Sequence, residues 1–479
     1  MATKNEERWR ENYAQLKAYI EEHHQLPDKK KVENRGLLNW WKYNRRLVKQ
    51  GKLDTERTAL LKALGAMRDS MRASFFIMTL CLLAASCSRR GAVQTDTGKA
   101  AAETDTIAVD TALQGRLAAF AGRPRPDGKF AFHVFDLTAD KPVYGCNDTT
   151  ALPAASCIKL LTGIAGLRLL GTAYHYWNGI FARGTVAPDG TLHGDLAFRG
   201  GLDPQLTSED LRPFAQAVRR RGVRRLGGRL LVSLTITEPV KSEEHWFPWD
   251  LSFSRYGLLY KGAPGVIRHL KAALRAQGVA VADSQVTLAH IPRGFRCLHV
   301  SRRPIDDVVR RMWKNSANTQ ATAMLYTIGC RLSPDGNPVA AGADYLRSFL
   351  RDTLRFTSPS LTIHDGCGLC IHNRLSPAAL TALLRYGYRD PSIRPFLERN
   401  LAVAGTDGTL ARELTSPSTR GKIRAKTGTL SHPYGISSLA GLCQAKNGHA
   451  LAFAIMDSEM SVLDARVLQR RLCEALTKE

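Results

Sequence analysis

The sequence predicts an α+β fold: an antiparallel sheet with flanking helices, preceded by a small three-helix domain. Three observations carry it. Near the end, "GISSLAGLCQ" and "HALAFAIMDS" read as two strands joined around Asn447-Gly448, a dipeptide suited to the positive φ angles of a hairpin turn. The amphipathic stretch "SVLDARVLQRRLCEALTK" comes directly after them. Far upstream, "KFAFHVFDL" alternates Phe130, Phe132 and Val134 as a strand does, and "SCIKLLTGIAGLRLLG" reads as a buried helix closed by Gly171.

Residues 1–68 form the first segment. Trp9, Tyr13, Leu16, Tyr19 and Ile20 recur at helical spacing, and the stretch with Pro27 and Gly36 breaks that pattern. "LLNWWKYNRRLVKQG" predicts a second helix ending near Gly51. "LDTERTALLKALG" predicts a third, with Asp54 or Thr55 as its cap and Gly65 as its stop. The unit is aromatic inside and basic outside, and Lys29, Lys30, Lys31, Arg45, Arg46 and Lys49 would suit phosphates. On Trp9, Tyr13, Leu16, Leu26-Pro27, Leu37, Trp40 or Trp41, Arg45, Gly51, Leu53, Arg57, Leu60 and Leu64-Gly65 it resembles the helicase-associated repeat. That resemblance implies nucleic acid as a partner for 1–68 alone. A basic bundle that binds nothing is the plain alternative, and with no helicase motor after it, no helicase activity is implied.

The second segment is an export signal, residues 69–87. "MRASFFIMTLCLLAASC" has a basic start at Met71, an apolar run from Ala73 to Ser86, then Cys87. "LLAASC" resembles a lipobox, with Ala84 or Ala85 where leucine is preferred, which implies lipidation of Cys87. Residues 88–110 are small and polar and read as a flexible tether. The expected location is the periplasmic side of the cell envelope, with the membrane engaged through the lipid anchor or the signal segment. Residues 1–68 would stay in the cytoplasm if retained. A signal this far into a chain favours an exported protein starting at Met67 or Met71, with the upstream module a joined reading frame; a genuine fusion is the other option.

The 479 residues suffice for about three domains. The hydrophobic fraction of 44% is that of a chain with real cores. The formal net charge of +25 should attract polyanions. Ten scattered cysteines show no close-spaced disulfide framework.

From 111 to 479 three short motifs occur in order. "SCIK" sets Ser156 and Lys159 three apart, "SAN" gives Ser316 and Asn318, and "KTG" gives Lys426, Thr427 and Gly428, with Thr429 next. A serine hydroxyl is a poor nucleophile until a base takes its proton. Residues three apart share a helix face, so Lys159 can serve Ser156. A lysine is a base only if its pKa is lowered, by desolvation or by a second cation, and Lys426 is the natural second cation. The order of the three motifs resembles that of penicillin-binding proteins. The resemblance implies that Ser316 can relay a proton to the leaving amine, that Asn318 can hold Lys159 and the substrate amide, and that the strand from Lys426 to Thr429 can lie beside an extended peptide and bind its terminal carboxylate. Backbone N–H groups of Ser156 and Thr429 would then form the oxyanion hole.

S-x-x-K, S-x-N and K-T-G in this order are the set found in penicillin-binding proteins and class A β-lactamases. With "LPAASCIKLLT", "DGTLHGDLAFRGGLDPQL", "KNSANTQATAML", "DGCGLCIHNRLSP", "VAGTDGTL" and "GKIRAKTGTL", the body resembles the D-alanyl-D-alanine carboxypeptidase/endopeptidase family that includes penicillin-binding protein four. The resemblance implies a β-lactamase/transpeptidase-like sheet and removal of terminal D-alanine from peptidoglycan stem peptides. It further implies cleavage of cross-bridges as a second activity and inhibition by β-lactams. The long interval from Lys159 to Ser316 then holds an inserted, mostly-β domain at about 180–300.

There are departures. "RGGLDP" stands at Arg199–Pro204 for a more glycine-rich run, and Cys367 and Cys370 stand where relatives have serines. "HDGCGLCIH" spaces His364, Cys367, Cys370 and His372 somewhat as metal ligands, and contains C-x-x-C. Two thiols in place of serines is the reading adopted, and no metal or cofactor is expected. Two other functions stay open: a serine β-lactamase, for which no deacylating glutamate is evident between Asn318 and Lys426, and a nucleic-acid-binding protein with an idle C-terminal body.

Overall fold

The computed structural model describes residues 4–23, 35–49, 54, 56–61, 63–64, 108–240, 246, 257–430 and 435–477. The signal segment with Cys87, most of the tether, and Lys29, Lys30 and Lys31 lie outside the described residues, as do the side chains of Arg45, Arg46 and Lys49. Two compact units are present, one within residues 1–106 and one built on 107–430 and 436–479.

The first unit has helices α1 (Lys4–His23) and α2 (Arg35–Lys49) and a helical stretch over 56–61 and 63–64. Trp9, Leu16, Ile20, Trp41, Leu61 and Leu64 form its core. The helical spacing of its aromatics puts Trp9 inside, where its indole N–H still finds a partner: Nε1 donates to Asn44 Oδ1 at 2.9 Å. Asp54 Oδ1 accepts from Arg57 N at 2.8 Å, as an N-cap should. Among the described residues no helix is long and apolar enough to cross a membrane.

The second unit opens with α3 (Thr111–Ala121), capped by Asp110, and the hairpin β1 (Lys129–Asp136) and β2 (Lys141–Cys146). After the short β3 (Leu152–Pro153), a 3₁₀ turn at Ala155–Cys157 enters α4 (Ile158–Leu170). Every α4 residue from Ile158 to Leu167 is buried, so the helix is enclosed on all sides, with Lys159 and Thr162 its buried polar members, and Gly171 ends it with φ of 86°.

The insert comes next. Its strands are β4 (His175–Val186), β5 (Thr191–Gly200), β6 (Arg225–Leu226), β7 (Leu230–Leu234), β8 (Val286–Leu288) and β9 (Arg296–Pro304). They form one sheet in the order β8-β7-β5-β4-β9, with β6 beside β5. β4 pairs antiparallel with β5 and β9, whereas β5 with β6 and β7, and β7 with β8, run parallel. Parallel neighbours need crossovers. Here α5 (Arg212–Arg220) and α6 (Gly262–Ala276) supply them and share a core with Ile180, Leu196 and Phe198. The insert expected as mostly β thus carries two helices on its sheet.

The chain returns through α7 (Ile305–Lys314), α8 (Asn318–Leu332) and α9 (Pro338–Ser348). Then come β10 (Arg374–Leu375), which pairs with β3, α10 (Pro377–Arg389), α11 (Arg394–Asn400) and β11 (Ala402–Val403). Finally β12 (Ile423–Leu430), β13 (Ile436–Gln444) and β14 (Ala450–Ser458) lead into α12 (Val462–Thr477). The main sheet is antiparallel, ordered β11-β12-β13-β14-β1-β2. Period-two alternation splits its residues between two cores. Phe453, Ile455 and Leu439 pack with α3 and α12, while Ala440, Ala454 and Met456 pack with α4, α8 and α10. β11 pairs only with Arg424 and Ala425 of β12. From Lys426 to Leu430 that side of β12 has no strand partner among the described residues.

Candidate active site

Ser156 lies in the 3₁₀ turn before α4, half-buried, beside Ala155 at φ of 43°. Positive φ is costly for a residue with a Cβ and lifts the serine out of the helix proper. One turn on, Lys159 is fully buried and its Nζ donates to Ser156 Oγ at 2.7 Å, to Asn318 Oδ1 at 2.8 Å and to the Cys367 carbonyl. Trp313 of α7 braces this helix by donating Nε1 to Lys159 O at 2.7 Å. The ring reaches it only because residue 163 is glycine: a Cβ there would fall 2.5 Å from Trp313 Cζ2.

Ser316 stands between α7 and α8 at φ of 58°, and Asn318 opens α8. Lys426 of β12 is also fully buried, and its Nζ donates to Ser316 Oγ at 2.8 Å and to Thr427 O at 2.5 Å. The three motifs therefore meet as two lysine-centred clusters, Ser156–Lys159–Asn318 and Ser316–Lys426. Cys157 Sγ links the turn to β12 by donating to Lys426 O at 3.2 Å. Gly428 allows a close approach: a Cβ there would lie 2.2 Å from Ser438 Oγ and 3.0 Å from Ser156 N. Thr427 Oγ1 donates to Thr409 Oγ1 at 2.8 Å, and Thr429 is exposed.

Burial lowers the pKa of both lysines. For Lys159 desolvation is the cause, opposed by Cys367, Asp365 and Cys157. Lys426 is pulled down to about 7, first by burial and then by the charge of Lys159. Of the two causes the sequence offers for a lowered Lys159, burial is the one that acts on it, and the repulsion between the two lysines falls on Lys426. A lysine near 7 exchanges protons at neutral pH, which general acid–base chemistry requires. A cavity of about 350 Å³ opens beside Ser156 and Ser316, bordered by Thr427, Thr429, Glu413 and Arg466.

Residues 113–256 and 261–478 match the model of the D-Ala-D-Ala carboxypeptidase 3 (S13) family. The chain belongs to that family. It is therefore a serine-type hydrolase of the D-Ala-D-Ala carboxypeptidase class. The D-alanyl-D-alanine carboxypeptidase DacB of Haemophilus influenzae is 21% identical over 416 residues, 68% of this chain and 85% of that protein. The D-alanyl-D-alanine carboxypeptidase of Actinomadura sp. is 26% identical over 186 residues, 39% of this chain and 32% of that one. Among solved structures, penicillin binding protein 4 of Haemophilus influenzae has a TM-score of 0.64 at 18% identity, covering 77% of this chain and 99% of its own. The same protein complexed with a β-lactam gives 0.62 at 17% identity, covering 76% and 100%. Residues 6–68 match the helicase associated domain.

Several residues at this S13 site are not singled out by the sequence motifs. Trp313, Thr409 and Ser438, whose Oγ donates to Ala154 O at 2.8 Å, act from separate elements. Asp365 and Thr409 lie in the stretches "DGCGLC" and "VAGTDGTL", which are the only signal for them. Cys367 and Cys370 are buried thiols. Among the described residues no group of three or more His, Cys, Asp or Glu could hold a metal ion.

Proposed function

We propose that Ser156 is the nucleophile that opens the terminal D-Ala–D-Ala amide of peptidoglycan stem peptides. The single observation carrying this is the buried Lys159 Nζ, 2.7 Å from Ser156 Oγ. Neutral Lys159 takes the Oγ proton as Oγ adds to the carbonyl carbon. The C–N bond then breaks, and the departing D-alanine nitrogen receives its proton by way of Ser316, backed by Lys426. Water hydrolyses the acyl-enzyme and restores the serine. Backbone N–H groups of Ser156 and Thr429 hold the oxyanion. Lys426, Thr427 and Thr429 bind the substrate carboxylate, Gly428 lets the strand pass the nucleophile, and Asn318 holds Lys159 and the substrate amide.

The open edge of β12 from Lys426 supports binding of an extended peptide as an added strand. Cleavage of cross-bridges is a second activity of the same site. β-Lactams acylate Ser156, a reading supported by the β-lactam complex of the Haemophilus protein. The enzyme works on the periplasmic side of the envelope, attached at Cys87, and residues 1–68 bind nucleic acid only if they are retained inside the cell.

The test is a gel of membrane fractions labelled with fluorescent penicillin, comparing the native chain with Ser156→Ala. A labelled band lost in the variant is the expected result. A band shorter by about 86 residues supports cleavage before Cys87. A folded native chain that takes no label defeats the acylation reading.

A further inference from the structure

The segment from His364 to Cys370 lies outside the three motifs, and one carboxylate organises it. Asp365 is fully buried. Its Oδ1 accepts from Cys367 N at 2.9 Å, Gly368 N at 2.6 Å and Asn373 Nδ2 at 2.8 Å. Its Oδ2 accepts from Cys370 N at 2.7 Å and Trp246 Nε1 at 2.8 Å. Asn373 Oδ1 closes the loop by accepting from His364 N at 2.7 Å. Charged acceptors bind backbone N–H groups more tightly than neutral ones, so this wrapping is stiff.

The wrapping fixes the direction of one carbonyl. The Cys367 oxygen accepts from Lys159 Nζ and lies 3.4 Å from Ser156 Oγ. Gly368, at φ of 84°, is pressed so close that a Cβ would fall 2.0 Å from Ala155 O. An amine nitrogen has three positions besides its carbon stem. Two on Lys159 are held by Asn318 Oδ1 and Cys367 O, which leaves the third for Ser156 Oγ.

We propose that Asp365 is a positioning residue for the serine chemistry: it aims the Cys367 carbonyl at Lys159 Nζ, and Trp246 ties that aim to the insert. The proposal rests on the Ser156 acylation reading. Four of the five donors to Asp365 come from residues 367–373, and the fifth comes from the inserted segment between α4 and α7. The charged or titratable groups facing Lys159 are Cys157, Cys367 and Asp365, with Lys426 across the cleft. Of these, Asp365 is the one whose carboxylate also fixes the geometry.

The experiment measures penicillin acylation of the full chain from pH 5 to 10 for wild type, Asp365→Asn and Trp246→Phe. Asparagine turns an N–H toward backbone N–H donors, so the loop loses its hub. Acylation by Asp365→Asn is expected to fall about 100-fold, the scale of misplacing a general base, with reversible penicillin binding held within about threefold. Its acid limb should move to lower pH, since the carboxylate that raises Lys159 is gone. Trp246→Phe keeps a ring and removes only the N–H, and a loss of about 10-fold is expected, one lost hydrogen bond. Variants acylated at the wild-type rate with an unmoved pH limb overturn the proposal, even if they melt earlier. If Asp365→Asn does not fold, Trp246→Phe decides on the same criterion. A wild type that takes no label sinks the parent reading, an outcome distinct from labelled wild type with unaffected variants.

Discussion

The main sheet buries an ionisable group on each face, and the two are pushed in opposite directions. On the cleft face, Lys426 is drawn down to about 7 by burial and by Lys159. On the other face, under α12, burial pushes Asp457 of β14 well above the carboxylate range. The surroundings differ more than the burial does. Lys426 Nζ donates to two oxygens and Lys159 Nζ to three. Asp457 has Gln469 Nε2 at 3.4 Å from Oδ2, while its buried Oδ1 has no hydrogen-bond partner. Burial alone therefore does not mark a site in this molecule. Convergence of satisfied donors on a reacting atom does.

The largest test of that contrast is Lys159→Met, which keeps the volume and removes the base. Penicillin acylation should fall by about 10³-fold while circular dichroism stays native. A rate within about tenfold of wild type would show that some other group takes the Ser156 proton.

Second is Gly428→Ala, which damages the cleft without touching a titratable group. Its Cβ must displace Ser438 Oγ or push β12 off Ser156 N. Acylation should drop by about tenfold, with a stability loss of about 1–3 kcal/mol by urea unfolding. Unchanged acylation would mean that the strand's distance from the turn is not critical.

On the other face the effect falls on stability. Asp457 holds its proton better folded than unfolded, so its contribution is complete below the unfolded value of 3.8 and declines as pH rises. Asp457→Asn removes that slope. Unfolding from pH 4 to 8 should show the variant gaining on wild type as pH rises, by at most about 1.4 kcal/mol per unit. Lys426→Met gives the mirror image. Its lowered pKa makes wild-type stability rise with pH between about 7 and 10.5, and the variant loses that rise. Parallel stability curves for both variants and wild type would break the comparison.

Much of this is legible in the residues. The hairpin at Asn447-Gly448, the largely apolar α4 and the three motifs each rest on neighbours within a few positions. The meeting of the motifs is legible only through the family resemblance, because it joins residues more than a hundred positions apart. The left-handed backbone of Ser316 is hidden, since serine gives no signal for positive φ. The helices of the insert lie at 212–220 and 262–276, in an interval whose mostly-β expectation comes from the family resemblance and not from its own residues. Asp365 cannot be weighed until its five donors are seen together.

The β12 edge left uncovered by β11 has one more consequence. Five residues, Lys426 to Leu430, are about 17 Å of strand at 3.4 Å each. That length is a ruler. In the proposed strand-addition mode it would pair with about five residues of an extended ligand. In that mode, two polymers alike in their last few residues would meet this edge in the same way.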